Sequence, residues 1–111
     1  MKVRTLARNG DFARAYKRGK SYVHPHIVLY VNKNRAGETR VGITCSKKVG
    51  NAVVRNRAKR VIRSALAAAL PESCGGVDLV FVARGRTPHL KSWQLAQTVQ
   101  KLLAQAGLAG K

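Results

Sequence analysis

Residues 46–63 read SKKVGNAVVRNRAKRVIR, from Ser46 to Arg63, and this stretch decides the fold prediction because it joins dense positive charge to a helical apolar repeat. Between Glu38 and Glu72 the chain has eight Lys or Arg residues and no acid, and seven of the eight lie in this stretch. The positive charge is therefore concentrated in one predicted element.

An amphipathic helix is predicted from Asn51 to Leu70, where Pro71 ends it. One arc of this helix is apolar and consists of Val54, Ala58, Val61, Ile62, Ala65 and Ala69. Another arc is basic or amide and consists of Arg55, Asn56, Lys59, Arg60 and Arg63, with Arg57 at its far edge. A solvated helix face usually mixes both signs in i, i+4 pairs. A face without acids favours phosphate binding over that simpler interpretation.

The composition of the whole chain indicates the same kind of partner. Its 111 residues fit one domain, residues 1–111, and 45% of them are apolar, which is enough for a modest core. A formal charge of +18 makes the folded chain repel itself unless a polyanion neutralises it. Nucleic acid is the expected polyanion, because no apolar run approaches the roughly 20 residues that span a membrane.

Two further sequence features bear on location. The N-terminus lacks the apolar segment and cleavage site of a signal peptide, which predicts a cytoplasmic protein. Cys45 and Cys74 have no CxxC spacing, so we expect both to be reduced thiols.

The rest of the chain predicts an α+β fold. An opening helix is predicted to begin near Asn9, with Asp11 as its cap, and to stop at Gly19. Strands are predicted at residues 21–32, 40–45 and 77–83, the first two antiparallel to each other and the third central. A last amphipathic helix contains Leu95, Ala96, Val99, Leu102, Leu103 and Ala106, with Trp93 as a packing residue. The order α-β-β-α-β-α implies a single small mixed sheet packed by helices.

Side-chain alternation divides the first predicted strand into two faces. Ile27, Leu29 and Val31 lie on one face, and the other face carries His26, Val28 and Tyr30.

The stretch quoted above closely resembles the signature of the bacterial ribonuclease P protein family. The resemblance is carried by Arg55-Asn56-Arg57, followed by Lys59-Arg60 and Arg63. Flanking residues fit the same family and extend the resemblance over about residues 9 to 105: Phe12, Tyr16, Gly19, Tyr30 and Arg40-Val41-Gly42. Tyr16 stands where the family usually has Phe, and a phenol ring can stack on a base as well.

This resemblance implies a sheet with three helices and a left-handed β-α-β crossover, although connections of this kind are right-handed as a rule. It also implies the accessory subunit of a ribonucleoprotein that removes the 5′ leader from precursor tRNA. The implied partners are the catalytic ribonuclease P RNA, which performs the hydrolysis with Mg²⁺, and precursor tRNA. No cofactor bound by the protein, no membrane and no protein oligomer is implied.

The family's site residues map onto two sets in this sequence. The expected RNA-binding residues are Lys47, Lys48, Arg55, Asn56, Arg57, Lys59, Arg60 and Arg63. The expected lining of a cleft for the single-stranded leader is Phe12, Tyr16 and Tyr30, with a core position as the alternative for Phe12. This combination suits a single strand, because aromatic rings stack on bases of any sequence and cations follow the phosphates.

No catalytic or metal-binding residue is predicted. The four carboxylates Asp11, Glu38, Glu72 and Asp78 are dispersed, whereas a two-metal nuclease needs a cluster. His24 and His26 lack a third metal ligand nearby in sequence, and His26 is expected to edge the leader cleft. Two alternatives stay open on sequence alone, namely a ribosomal or other structural RNA-binding protein and a free-standing nuclease that depends on histidine.

Overall fold

The computed structural model describes residues 4–6, 9–35, 37–71 and 75–108. Five strands and three helices follow one another in these ranges: β1 (Arg4–Thr5), α1 (Asn9–Arg18), β2 (Lys20–Val23), β3 (Ile27–Lys33), β4 (Arg40–Thr44), α2 (Ala52–Ala69), β5 (Val77–Ala83) and α3 (Ser92–Gln105). Short 3₁₀ turns at Lys47–Val49 and Thr87–His89 precede α2 and α3. No helix within these ranges is long and apolar enough to cross a membrane.

The strands form one mixed sheet in the order β1-β4-β5-β3-β2. β5 is central, as its mainly apolar sequence predicts, and it pairs parallel to β4 and antiparallel to β3. β4 and β3 run in opposite directions as expected, but β5 separates them. The predicted α+β class is confirmed, and the hand of the β4-α2-β5 crossover stays an expectation from the family.

The prediction of one strand over residues 21–32 is wrong, because the chain reverses there. His24 and Ile27 exchange backbone hydrogen bonds of 3.1 and 3.2 Å, which closes a tight hairpin between β2 and β3. Pro25 occupies this turn and has no amide hydrogen to donate to a sheet. Apolar residues alternate on both sides of this turn, so the sequence pattern did not show that two strands are present.

The two sheet faces carry separate cores. α2 and α3 cover one face, where Ile27 and Leu29 are fully buried. α1 covers the other face, where Ala15 and Val80 are fully buried and Tyr30 packs against them. The side-chain alternation in β3 thus assigned Leu29 and Tyr30 to the correct opposite faces.

Three side-chain expectations are wrong. His26 Nδ1 lies 2.8 Å from Thr98 Oγ1 on α3, so His26 faces the α3 side and does not edge the α1 side. Trp93 is 59% exposed in the first turn of α3 and is no packing residue. Asp11 lies inside the first turn of α1, which already begins at Asn9, and it pairs with Arg14 instead of capping the helix.

Candidate nucleic-acid interface

α1 is seated on the sheet by a close approach at Gly42. A Cβ atom on Gly42 would lie 2.6 Å from Phe12 Cε1 and 2.7 Å from Phe12 Cζ, closer than carbon atoms can pack. The Phe12 ring therefore rests on the backbone of β4. This contact fixes the height of α1 above the sheet and the position of the side chains beside it.

Tyr16 and Tyr30 form an aromatic wall along α1. Their ring centroids lie 4.9 Å apart at an interplanar angle of 81°, an edge-to-face pair. The Tyr16 hydroxyl donates to Thr44 Oγ1 at 3.3 Å, and the Tyr16 side chain is 42% exposed. The pair thus leaves one ring open to solvent and available for stacking.

The floor beside this wall is a row of sheet residues. Strand register places Val28 opposite Val82 and Val82 opposite Thr44, and all three are half-buried. We call this recess, formed by Phe12, Tyr16, Tyr30, Val28, Val82 and Thr44, the aromatic cleft. Phe12 is half-buried against Leu6 and Ala15, so it supports the cleft from beneath while the two tyrosines line it.

α2 presents the predicted cations on its outer side. Asn51 Oδ1 accepts from the Val54 amide at 3.0 Å and caps the helix. The helix packs onto the sheet through Ala58, Ile62, Ala65 and Leu66. Lys47, Lys48, Asn56, Arg57, Arg60 and Arg63 are exposed, and Arg55 and Lys59 are half-buried. These eight residues make up what we call the basic face.

Arg55 is more enclosed than its place in the predicted polar arc suggested. It lies seven residues before Ile62, almost two helical turns, and therefore points in nearly the same direction as that core residue. Its Nε is buried and has no hydrogen-bond partner among the described residues. A helical-wheel angle measured from Ile62 would have placed Arg55 at this boundary.

Cys45, at the end of β4, lies beside Arg55 and Lys59. Burial raises the pKa of its thiol, and the two cations oppose that rise. Cys45 is a free cysteine, as expected for a reduced thiol, and Cys74 lies outside the described residues.

The aromatic cleft and the basic face meet at the end of β4. Among the described strands, β1 pairs only with Arg40 and Val41 of β4, which leaves the stretch from Ile43 to Cys45 as a sheet edge. Thr44 points into the aromatic cleft, whereas Cys45 packs on the α2 side next to Arg55. One extended strand of nucleic acid can therefore follow this edge from one surface to the other.

The chemistry of this surface is that of binding. Rings provide stacking and the cations provide phosphate contacts. Within the described ranges, no group of three or more His, Cys, Asp or Glu side chains is placed to hold a metal ion. The buried carboxylates Asp11 and Asp78 are both engaged by arginines.

Comparisons with known proteins identify the family of this chain. A family model described as Ribonuclease P matches residues 1–107. The ribonuclease P protein component of Clostridium novyi strain NT is 43% identical over 105 residues, covering 93% of both chains. That of Clostridium botulinum strain Langeland is 39% identical over 109 residues, covering 97% of this chain and 98% of the relative. The Staphylococcus aureus RNase P protein structure superposes with a TM-score of 0.81 at 31% identity, covering 96% of this chain and 97% of that one. The chain therefore belongs to the ribonuclease P protein family.

Proposed function

We propose that this chain, as the RNA-binding accessory subunit of ribonuclease P, holds the 5′ leader of precursor tRNA in the aromatic cleft. The basic face binds the catalytic RNA and the adjoining phosphates. Hydrolysis is performed by the RNA subunit with Mg²⁺, and the complex works in the cytoplasm. The protein contributes substrate affinity and tolerance of salt.

One observation carries this proposal: the two surfaces meet at the edge of β4. Tyr16 reaches Thr44 on one side of that edge, and Arg55 and Lys59 act electrostatically on Cys45 from the other. A structural RNA-binding protein needs only the cations. A stacking cleft beside them indicates a partner with unpaired bases, because bases inside a duplex cannot reach a tyrosine ring.

The buried Nε of Arg55 supports a phosphate ligand at this junction. An unpaired buried donor is costly, and native proteins rarely retain one without a reason. A phosphate oxygen would reach this N–H once the side chain turned outward, which the half-buried position of Arg55 allows. We infer that RNA supplies the hydrogen-bond partner that Arg55 Nε lacks among the described residues.

Family membership favours this role over the ribosomal alternative, which composition alone left open. The histidine-dependent nuclease loses its best candidate, because His26 is turned toward Thr98 on α3.

Reconstitution tests the proposal. Catalytic ribonuclease P RNA, precursor tRNA and low Mg²⁺ are mixed with and without the protein, and cleavage at the 5′ end of the mature tRNA is followed. We expect the protein to accelerate cleavage and to cut nothing on its own. Absence of stimulation, or cleavage by the protein alone, would contradict the assignment.

A matched pair of variants tests the basic face in the same assay. Arg55→Ala with Arg60→Ala should flatten the salt dependence of RNA binding by about one unit per lost phosphate contact. Arg84→Ala with Arg86→Ala removes two exposed arginines of the loop after β5 and should leave the slope unchanged. Equal slopes for both variants would remove the basic face from the interface.

A further inference from the structure

A second recess lies on the opposite side of α1 from the aromatic cleft. It has a volume of about 450 Å³, within the roughly 300–1,000 Å³ typical of ligand sites. Arg14 and Arg18 of α1 form one wall, and Lys33 and Arg35 at the end of β3 form the other. Every lining residue is charged or carries a side-chain amide, and none is aromatic. We call this recess the charged pocket.

The floor of the charged pocket is held by ion pairs. Arg40 Nε and Nη2 donate to the two oxygens of Asp78 at 2.7 and 2.8 Å, and Asn34 Nδ2 donates to Asp78 Oδ1 at 2.7 Å. Asp11 accepts from Arg14 and lies 3.6 Å from Arg40 Nη1. Asp78 is 2% exposed and Asp11 4% exposed. Arg14 and Arg40 occupy these two carboxylates, which are closed to solvent.

The walls then carry positive charge that no carboxylate of the described residues neutralises. Five cations and two carboxylates line the pocket, a surplus of three positive charges. Arg18, Lys33 and Arg35 form no ion pair with any carboxylate of the described residues. Holding three unneutralised cations around one recess is electrostatically unfavourable without an anion.

We propose that the charged pocket binds an oligophosphate group, two or three phosphates in a row. A single phosphodiester carries one negative charge and would neutralise a third of the surplus. A chain of phosphates matches the charge in a compact volume, and arginine forks suit its oxygens. The lining has no aromatic ring on which a base could stack, so the site recognises phosphate groups and not the base sequence.

Two sources share this chemistry. One is the 5′-triphosphate end of an RNA, which would place the start of an unprocessed leader across α1 from the aromatic cleft; this source rests on the proposed function. The other is a free polyphosphate or nucleoside triphosphate, and this source does not depend on the proposed function.

Calorimetric titration with inorganic tripolyphosphate tests the pocket itself. Arg18→Ala with Arg35→Ala should weaken binding at least about tenfold, since two charge-assisted contacts are lost. Arg84→Ala with Arg86→Ala removes the same two charges from the loop after β5, outside both the pocket and the basic face, and should leave the affinity within about twofold. Equal losses in both variants, or a loss in the control alone, would overturn the proposal. All four residues are exposed, and thermal melts of each variant confirm that it folds.

Leader-bearing RNAs with a 5′-triphosphate or a 5′-hydroxyl then separate the sources. A tighter 5′-triphosphate complex, with the advantage lost in Arg18→Ala with Arg35→Ala, assigns the pocket to the RNA end. Equal affinities, with tripolyphosphate still bound in the pocket, assign it to a free polyphosphate. The leader length is varied in this comparison because the leader must span the distance between the two sites. The strand residues beneath the charged pocket lie four positions from those beneath the aromatic cleft, about 13 Å along the strand.

Failure of the pocket and failure of the proposed function give different results. If the pocket proposal alone is wrong, tripolyphosphate does not bind there, while the 5′-hydroxyl substrate still binds and the protein still stimulates cleavage. If the proposed function is wrong, cleavage is not stimulated, whatever the outcome of the tripolyphosphate titration.

Discussion

The two sides of α1 lie on one sheet face and yet differ completely in chemistry. On the aromatic side, the strands offer Val28, Val82 and Thr44 beneath the Tyr16–Tyr30 wall. On the charged side, the same three strands offer Asn32, Asp78 and Arg40, which register places side by side. Four residues along a strand separate the two rows. Both sides carry positive charge nearby, but only one has rings.

A small protein can in this way keep two kinds of recognition apart on one sheet face. Stacking on tyrosines depends little on salt, whereas contacts between cations and phosphates weaken steeply as salt is added. α1 acts as a divider, because Phe12 and Ala15 fill the space between the two rows. Each side can therefore be changed by mutation with little effect on the other, unless α1 itself moves.

The largest effect is expected where both sides depend on one contact. Gly42→Leu should lower the free energy of unfolding by about 3 kcal/mol, because any side chain there meets the Phe12 ring. Denaturant unfolding measures the cost, and binding of leader RNA and of tripolyphosphate should weaken together.

The control for this change is Gly10→Ala, in the first turn of α1. A Cβ at Gly10 meets nothing within 4 Å, and alanine should stabilise the helix by up to about 1 kcal/mol. A Gly42→Leu protein that keeps wild-type stability and loses only one of the two ligands would contradict the role of α1 as divider.

The charged side is expected to show the next largest effect. Asp78→Asn should cost about 2 kcal/mol of stability, because one amide oxygen cannot replace a carboxylate that accepts from both Arg40 and Asn34. Thermal or denaturant unfolding measures it, and leader binding by the folded variant should be nearly unchanged.

A double-mutant cycle with Arg40→Leu sharpens this test. The double variant should be more stable than the two single losses predict, because a lone buried charge costs more than the absence of the pair. Strict additivity would show that Arg40 and Asp78 are not coupled.

The aromatic side is expected to show a smaller effect on binding, which is measured on folded protein because Tyr30 also packs against Ala15 and Val80. Tyr30→Ala should weaken the binding of leader-bearing substrate by about 1.4 kcal/mol, tenfold in Kd, if one base stacks on this ring. Tyr30→Phe keeps the ring and should bind normally, and mature tRNA should be little affected by either change. An equal loss of affinity for leader-bearing substrate and for mature tRNA in Tyr30→Ala would argue against a stacked leader. A change in the salt dependence of binding in this variant would argue against it as well.

The smallest effect is a change in labelling rate at Cys45. Because burial raises the pKa of this thiol, its alkylation in a Cys74→Ser protein should be slow near neutral pH and should quicken as pH rises. Leader RNA should slow it further, whereas tripolyphosphate should not, since Cys45 and Arg40 lie at opposite ends of β4. Equal protection by both ligands would mean that the two sites are not separate.

Most of the basic face was predictable because six of its eight residues lie within one helix, α2, and only Lys47 and Lys48 lie in the turn before it. A period of 3.6 residues orders the cations of α2 whatever they pack against, so Arg57, Arg60 and Arg63 are exposed as the pattern indicates. Alternation in the same way placed Tyr30 opposite Leu29. The misplaced residues lie where local patterns compete: His26 adjoins a proline turn, and Arg55 lies at the border of the buried stripe.

The charged pocket had no sequence signal at all. Its floor joins Asp11, Arg40 and Asp78, which come from α1, β4 and β5. Only the strand order, with β5 between β4 and β3, brings these residues together. Separation along the chain says nothing about such contacts, because pairing between distant strands is fixed by the whole sheet.

The amino-acid sequence alone was enough to predict the composition of each surface: a helix with cations on one side, strands with two distinct faces, and a large excess of positive charge. Those properties follow from local periodicity and from counting charges. The tertiary structure decided which surfaces meet and which are kept apart. Phe12 resting on Gly42 set α1 across the sheet, and that one close contact made an aromatic cleft and a charged pocket out of a single face.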